Sequence, residues 1–178
     1  MPYAYYARLN KADKAIYRKS DAIETVDLRG AARLRPLTKR LERDLRLEDR
    51  AAVEASVRAL CAGVVVDIGT APLTTKVLAA RPSHDWGELH GLYEPAEGRR
   101  RARITVWMRT AQHKKVVAFR TFLRTVLHEL CHHLDYEALD LADSFHTEGF
   151  FKRESSLFRQ LVTDGAAESV REPARRSS

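Results

Sequence analysis

Apolar and polar positions follow a helical period in the first third of the chain. Apolar side chains recur there every three or four residues, which places them along one side of an α-helix. Pro36 fits the first turn of a helix, and Asp49 can cap the helix that follows. We therefore expect several helices within residues 1–70 that pack on a core. Their apolar positions are Leu9, Ala12, Ile16 and Ile23, then Leu37, Leu41 and Leu45, then Val53, Val57 and Leu60.

The pattern changes to short strand-like segments after residue 72. Three segments are rich in residues that favour strands, and turn-forming or basic residues separate them. They are TTKVLAA (74–80), ELHGLYEP (88–95) and ARITVWMR (102–109). The pattern predicts a small mixed sheet.

Two further helices are predicted after the strands. Residues 114–138 contain no Gly or Pro, and their apolar positions have the spacing of one long amphipathic helix. A last helix is predicted from about residue 144 to residue 161, with Asp143 or Ser144 as its cap. Residues 166–178 are small and charged, so we expect a disordered tail there. The apolar positions of the long helix are Phe119, Leu123, Val126, Leu130 and Leu134.

Length and element order indicate a single domain of the α+β class. A chain of 178 residues lies within the range that one hydrophobic core serves. We expect one domain over residues 1–165, in which a helical N-terminal part (1–70) joins a core (71–165). In that core a small mixed sheet packs on the long helix.

Composition adds a compartment and a charge to this picture. The two cysteines, Cys61 and Cys131, are too few for a disulfide framework, and the opening residues lack the layout of a secretory signal. We therefore expect a cytoplasmic protein. No apolar run reaches the roughly 18 residues of a membrane span, so we expect no membrane association. The formal net charge of +7 favours acidic partners such as nucleic acid, although a solvated basic surface explains it equally well.

The stretch LHELCHHLD lies within the predicted long helix and carries His128, Glu129 and His132. Side chains four residues apart lie one above the other on a helix, so both imidazoles can bind one ion while Glu129 lies beside it. This HExxH pattern is typical of zinc sites in which the carboxylate is the general base. Zinc lowers the pKa of bound water toward about 7 and polarises a carbonyl group. The spacing thus predicts half of a Zn²⁺ site with Glu129 as catalytic base.

A third ligand has to come from elsewhere in the chain. His146 is our choice, because a helical hairpin after His132 could return the chain to the metal. Carboxylates also bind zinc, and the alternatives are Glu148, Glu137 and Asp140. An ordinary role for His146 at the start of the last helix also stays open.

Other residues around the motif have simpler interpretations. His133 points about 100° away from His132 on a helix, so we expect it to be exposed or to support a ligand from behind. Cys131 is expected to be a small buried apolar residue. Asp135 could accept the second N–H of an imidazole or lie on a solvated helix face. The remaining histidines, His84, His90 and His113, are expected to be structural or exposed.

HELCHH followed by FHTEGFF resembles the SprT-like zinc metallopeptidases, a family of the zincin class. The resemblance covers roughly residues 74–162. It implies a zincin-like fold, in which a strand precedes the HExxH helix, and zinc-dependent hydrolysis of peptide bonds. It also implies that His146, with Gly149 and Phe150 after it, supplies the third ligand. The family usually places Gly directly after this His, whereas two residues intervene here.

The resemblance also implies a mode of substrate binding. In zincins the strand along the cleft binds an extended peptide as an additional strand, and by resemblance ARITVWMR is that strand. Its alternation of Ile104, Val106 and Met108 fits an interior strand as well. Basic residues just ahead of it could attract an acidic substrate or a DNA phosphate. They are Arg99, Arg100, Arg101 and Arg103.

Three functions fit these features. The first is a zinc-dependent peptidase that acts on a protein or peptide substrate. The second is a catalytically silent zincin-fold module that binds DNA or an acidic protein. A hydrolase of another substrate, such as an RNA phosphodiesterase, is least favoured because two-metal nuclease sites are held largely by carboxylates.

Overall fold

Helices form the first part of the chain, as expected. In the computed structural model, which describes residues 3–84 and 87–162 with only the backbone of residues 83, 84, 87 and 88, a 3-10 helix (Ala4–Arg8) precedes three α-helices. Asp49 caps the third of them as predicted, since its carboxylate accepts a hydrogen bond from the Ala52 N–H at 3.1 Å. Gly69 ends that helix in the left-handed conformation at φ 80°. The helices are α1 (Lys11–Asp21), α2 (Ala31–Arg46) and α3 (Arg50–Ile68).

The position of Pro36 differs from the prediction. Pro36 lies inside α2 rather than in its first turn, because the helix already begins at Ala31. The proline cannot donate a hydrogen bond to the carbonyl of Ala32. The start of the helix is fixed from outside instead, where the Gly30 N–H donates to the Asp67 carboxylate of α3 at 2.7 Å. Packing on α3 therefore extends α2 toward the N-terminus beyond what the local sequence indicates.

The strands form the small mixed sheet that the sequence predicts. Strand β5 (Arg103–Arg109) pairs in parallel with β1 (Thr74–Ala80) and antiparallel with β4 (Gly91–Glu94), so the order is β1-β5-β4. Two shorter strands, β2 (Ser83–His84) and β3 (Gly87–Glu88), form a separate antiparallel ladder. Together with the helices this confirms the α+β class.

The expectation, by resemblance, that ARITVWMR is the strand along the cleft is wrong, and the alternative of an interior strand is confirmed. This segment is β5, the central strand, with a neighbour on each side. The physical reason is visible in its burial, because residues Ile104 to Met108 are all buried. A strand that is apolar on both faces needs cover on both faces and partners on both edges. The strand along the cleft is therefore β4.

The two outer edges of the sheet have different neighbours. At the β1 edge, Glu54 of α3 accepts a hydrogen bond from the Val77 N–H at 2.9 Å, and Arg50 of α3 donates to the Val77 carbonyl at 3.0 Å. These side chains take up main-chain groups that a further strand would need. The β4 edge instead borders a cleft.

The two C-terminal helices begin later than predicted. Helix α4 (Phe119–Glu137) begins after residue 114, because Val116 still bridges to Arg109 and the Val117 N–H donates to the Met108 carbonyl. Helix α5 (Glu148–Leu161) is capped by Thr147, whose hydroxyl accepts from the Phe150 N–H at 2.9 Å, rather than by Asp143 or Ser144. The tail predicted at residues 166–178 lies outside the described residues.

A continuous apolar cluster joins the N-terminal helices to the sheet and to the last two helices. Leu41 of α2, Val57 of α3, Ile104 of β5, Leu130 of α4 and Leu157 of α5 all have no exposed surface and belong to it. The helical part therefore packs on the same core as the HExxH helix. No helix of the described residues is long and apolar enough to cross a membrane.

Candidate metal centre

Three histidine side chains converge at one point of the structure. The Nε2 atom of His146 lies 3.0 Å from Nε2 of His128 and 3.1 Å from Nε2 of His132. Among the described residues, these three histidines form the group that is close enough to hold a metal ion. The ligand set predicted from the sequence is thus brought together.

Each histidine is held by the element that carries it. His128 and His132 lie one turn apart on α4, so the helix geometry stacks them on one face. His146 lies just before Thr147, the N-cap of α5. Its own carbonyl accepts a hydrogen bond from the Tyr5 hydroxyl at 2.9 Å. The position of His146 is therefore fixed by α5 on one side and by the N-terminal segment on the other.

Neighbouring side chains assign the proton positions on the two helical histidines. Nδ1 of His128 lies 3.2 Å from a carboxylate oxygen of Glu154, and a carboxylate only accepts, so this Nδ1 carries the proton. Nδ1 of His132 lies 2.7 Å from the Ser144 hydroxyl. That hydroxyl uses its single proton to donate to Asp135 at 2.7 Å, so Nδ1 of His132 is also protonated. Both Nε2 atoms then present lone pairs toward the shared point.

Burial disfavours the charged form of two of the three imidazoles, those of His132 and His146. Burial lowers the pKa of His132 to about 3, with the positive charges that His128 and His146 would carry adding to the effect. Burial also lowers the pKa of His146, again with a contribution from His128. Protons are therefore weak competitors for the nitrogen lone pairs that a metal ion would use.

The donor set fits zinc. Tetrahedral zinc with Zn–N bonds of about 2.0–2.1 Å requires nitrogens about 3.3 Å apart, and the separations of 3.0 and 3.1 Å between the Nε2 atoms need only a small expansion. Three imidazoles leave one tetrahedral position open, as in catalytic zinc sites. Imidazole ligands suit zinc and other late transition metals better than Mg²⁺ or Ca²⁺.

Glu129 lies beside this site, against strand β4. It is 6% exposed, and burial raises the pKa of its carboxyl group to about 7, partly offset by the charge of His128 and by a hydrogen bond from the Tyr93 backbone. A Cβ atom on Gly91 would overlap the Glu129 carboxylate. Gly91 therefore makes the space in which the carboxylate lies.

The site opens into a cleft of about 730 Å³. One wall is the β4 region, represented by His90 and Tyr93, and the floor is α4. The loop that carries Ser144 and His146 closes the opposite side. An extended chain laid along this cleft passes both Glu129 and the three imidazoles.

The alternative third ligands lie elsewhere. Glu148 is exposed and pairs with Lys152 of the next turn at 3.0 Å. Glu137 and Asp140 are exposed at the end of α4 and in the following loop. None of the three belongs to the convergent group.

Two predictions about residues next to the motif have different outcomes. His133 is fully buried rather than exposed. Its ring nitrogens lie 3.2 Å from the Tyr93 hydroxyl and 2.8 Å from the Ala71 carbonyl oxygen, so the ring packs between β4 and the segment before β1. Cys131 is buried as predicted, and burial raises the pKa of its thiol well above the usual value. Cys131 is therefore no thiolate ligand.

The remaining sequence candidates lie away from the ligands. Asp135 is buried and acts on His132 through Ser144 rather than directly. His90 is exposed on the cleft wall, and His113 is exposed elsewhere. The side chain of His84 lies outside the described part of the structure.

Sequence reasoning missed the residues that support the ligands. Glu154 and Ser144 contact His128 and His132, and neither has a spacing that points to the motif. Arg153 was also missed, although it pairs with Asp135 at 2.8 Å in a fully buried position. A usable signal was the charged pair Arg153–Glu154 within the otherwise apolar face of the last helix.

Comparison with known proteins gives no relative. No family model, no curated protein and no solved structure matches the chain. The resemblance to the SprT-like family therefore depends on the motif residues alone, and the site has to be interpreted from its own geometry.

Proposed function

We propose that the protein is a zinc-dependent peptidase with a zincin-like site. The ligands are His128, His132 and His146, and Glu129 is the general base. The observation that carries this proposal is the convergence of three imidazoles beside a buried carboxylate, in a cleft bordered by a strand edge. A purely structural zinc site would be closed by a fourth protein ligand and would have no use for Glu129.

The chemistry divides between the ion and the protein. Zinc, when bound, supplies Lewis acidity that activates water and polarises the substrate carbonyl. Glu129 accepts the proton of the attacking water and delivers it to the leaving amine. In the metal-free protein, burial raises the pKa of this carboxyl group, which favours a carboxylate that takes up a proton and then gives it away. The Tyr93 backbone and the space at Gly91 hold the carboxylate in place for both proton transfers.

The substrate binds as a further strand on β4. The opposite side of β4 is already paired with β5, and Glu129 takes a backbone hydrogen bond from Tyr93. The remaining main-chain groups on the cleft side of β4 are therefore those to which an extended peptide can add. Such binding uses main-chain hydrogen bonds and therefore tolerates many sequences. Because Cys61 and Cys131 are both free thiols, we assign the reaction to a reducing, cytoplasmic compartment.

Metal content and hydrolysis test this proposal together. Purified protein should contain near-stoichiometric zinc by elemental analysis and should cleave an unfolded protein such as casein. His128→Ala and His146→Ala should lose both properties, whereas Glu148→Ala should keep both. His113→Ala, which removes an exposed histidine away from the cleft, is the matched control.

Glu129→Gln separates the base from the metal. It should keep zinc and lose about 10²–10⁴-fold in the rate of hydrolysis, the range typical of a general base. Hydrolysis at the wild-type rate in Glu129→Gln, or wild-type protein without zinc, would contradict the proposal.

A second candidate function is a silent zincin-fold module that binds DNA or an acidic protein. The observation in its favour is a run without any Asp or Glu from Gly98 to His128 that contains nine Lys or Arg residues. Salt-dependent binding of duplex DNA without hydrolysis of casein would favour this function. We rank this function second because a binding module does not need a general base, and Glu129 is buried beside the three imidazoles.

A further inference from the structure

The cleft continues past the three histidines toward the start of α4. At this end it has no metal ligand but contains a guanidinium group one helical turn before His128. Its lining residues there are Leu89, His90, Thr121, Arg124 and Thr125. A substrate residue at this end of the cleft is not at the scissile bond. The side chains here therefore affect which peptide sequences bind rather than the bond cleavage itself.

Arg124 supplies the charge that a substrate meets at this end. Its guanidinium pairs with Glu154 at 3.2 Å, but the Arg124 side chain is 46% exposed whereas that of Glu154 is 10% exposed. The other oxygen of Glu154 faces Nδ1 of His128, so this carboxylate is engaged on both sides behind the arginine. Both side chains line the cleft, and a ligand there meets mainly the guanidinium because it is the more exposed of the pair.

The guanidinium of Arg124 is held in place. It lies over the Phe158 ring of α5 at 4.2 Å from the centroid, an arrangement that fixes the plane of the group and leaves its edge donors accessible. A guanidinium has five N–H donors in a planar fork that matches a carboxylate. One bond to Glu154 leaves donors for a second carboxylate.

The surrounding sequence reinforces the positive charge. Helix α4 has no acidic residue before Glu129, and the run from Gly98 to His128 contains none. Arg120 lies one turn before Arg124 and is also placed over Phe158, at 5.0 Å from the ring centroid. An acidic ligand at this end is therefore attracted without a competing negative group from the same helix.

Strand direction decides which substrate residues reach Arg124. Gly91 lies against Glu129, and Tyr93 stacks on His132 at 6.2 Å, so β4 and α4 run in the same direction. A peptide added antiparallel to β4, the more stable arrangement, runs the opposite way. Its residues after the scissile bond then lie at the Arg124 end.

We propose that the cleft selects peptides with Asp or Glu in the residues that follow the scissile bond, and that Arg124 is the specificity-determining residue. This inference rests on the peptidase function proposed above. It adds a substrate class, acidic peptide segments, to a site whose main-chain recognition alone would be unselective.

Equilibrium binding tests the selectivity without turnover. Zinc-loaded, full-length Glu129→Gln protein is titrated into fluorescein-labelled peptides that differ only in Glu or Gln at every second position, and fluorescence anisotropy gives Kd. The Glu peptide should bind about fivefold more tightly, as one partly exposed charge pair allows. The difference should shrink at high salt because exposed charges are screened.

Two variants in that background distinguish selectivity from general attraction. Arg124→Gln should reduce the Glu-to-Gln ratio of Kd values to near 1, whereas Arg99→Gln removes the same charge from an exposed turn outside the cleft and should leave the ratio unchanged. If the variant also disturbs Glu154, the affinity for both peptides falls equally, so the Glu-to-Gln ratio of Kd values reports selectivity alone. A ratio that survives Arg124→Gln, equal binding of the two peptides, or no binding of either would overturn the inference.

Mapping of cleavage sites by mass spectrometry tests the direction. Wild-type protein should cut a mixture of synthetic peptides with Asp or Glu enriched after the scissile bond. Enrichment before the bond, or none, would overturn the assignment while the peptidase function stands. Failure of the peptidase function would appear differently, as absence of hydrolysis in every mixture.

Discussion

The two histidines of the HExxH motif are supported in opposite ways. His128 is held directly by Glu154, which is held in turn by the half-exposed Arg124. His132 is held by a longer chain, in which Ser144 joins it to Asp135 and Asp135 pairs with Arg153. The first support ends in the cleft, and the second ends in a fully buried ion pair.

The buried support also reaches the N-terminal part of the chain. Arg153 donates to the carbonyls of Ser20 and Ile23 and to the Ser20 hydroxyl. The orientation of His132 therefore depends on residues more than 100 positions away in the sequence. We therefore expect that changes around His128 leave the fold intact, whereas changes around His132 also affect the stability of the folded protein.

Removal of Arg153 should produce the largest effect. Arg153→Met leaves the buried Asp135 carboxylate without its cation, which we expect to lower the free energy of unfolding by about 3–5 kcal/mol. Urea denaturation of the metal-free protein measures this. A loss below about 1 kcal/mol would mean that the buried pair contributes nothing to the fold.

The double variant Arg153→Met/Asp135→Leu sharpens this prediction. Replacement of both charges by apolar groups should recover much of the lost stability. Zinc affinity should stay low, because Ser144 then has no acceptor for its proton and the orientation of His132 is lost. Recovery of both properties would show that the chain through Ser144 does not support the ligand.

Ser144→Ala should have an intermediate effect, on the metal alone. Loss of the group that accepts the proton of His132 Nδ1 should lower zinc affinity by about 10–100-fold, the usual range for such supports. Competition with a chromophoric chelator measures the affinity. Ser155→Ala on α5 is the matched control and should leave it unchanged.

Glu154→Gln should affect zinc affinity less than Ser144→Ala. The amide oxygen of Gln can still accept the proton of His128 Nδ1, so we expect a loss of about tenfold or less, with urea stability within about 0.5 kcal/mol of wild type. A larger loss than that of Ser144→Ala would reverse the comparison between the two supports.

A pH titration of the metal-free protein tests the burial of His132. Its folded pKa of about 3 lies below the usual value of 6.5, so below about pH 6.5 the unfolded chain binds a proton that the folded chain excludes. The stability of the metal-free protein should therefore fall as the pH drops from about 6.5 toward 3. His132→Asn should flatten this slope, and His113→Asn should not.

Local spacing predicted the parts of the fold and site that lie on one element. The helical stack of His128 and His132, the cap at Asp49 and the three strand segments follow from periods and cap preferences, which act over a few residues. The choice of His146 also agrees with the structure. It came from the need for a third ligand, together with the family resemblance.

Features that depend on tertiary contacts could not be predicted in this way. The central place of β5 follows from burial on both faces, and the early start of α2 follows from Asp67 of a different helix. Ser144, Arg153 and Glu154 become supports only when α5 packs on α4. The spacing of residues in the sequence does not indicate such packing, so the hydrogen bonds of these residues to the histidines could be identified only from the structure.

The sealed β1 edge has a consequence for how copies of this protein can meet. Strand-to-strand association needs a free row of peptide groups, and Glu54 and Arg50 occupy those of Val77 on that side. Pairing of two copies through the three-stranded sheet would then use the β4 edge, which is also the cleft. Under the proposed function, any such self-association would compete with peptide binding, so we expect the turnover per molecule to rise on dilution.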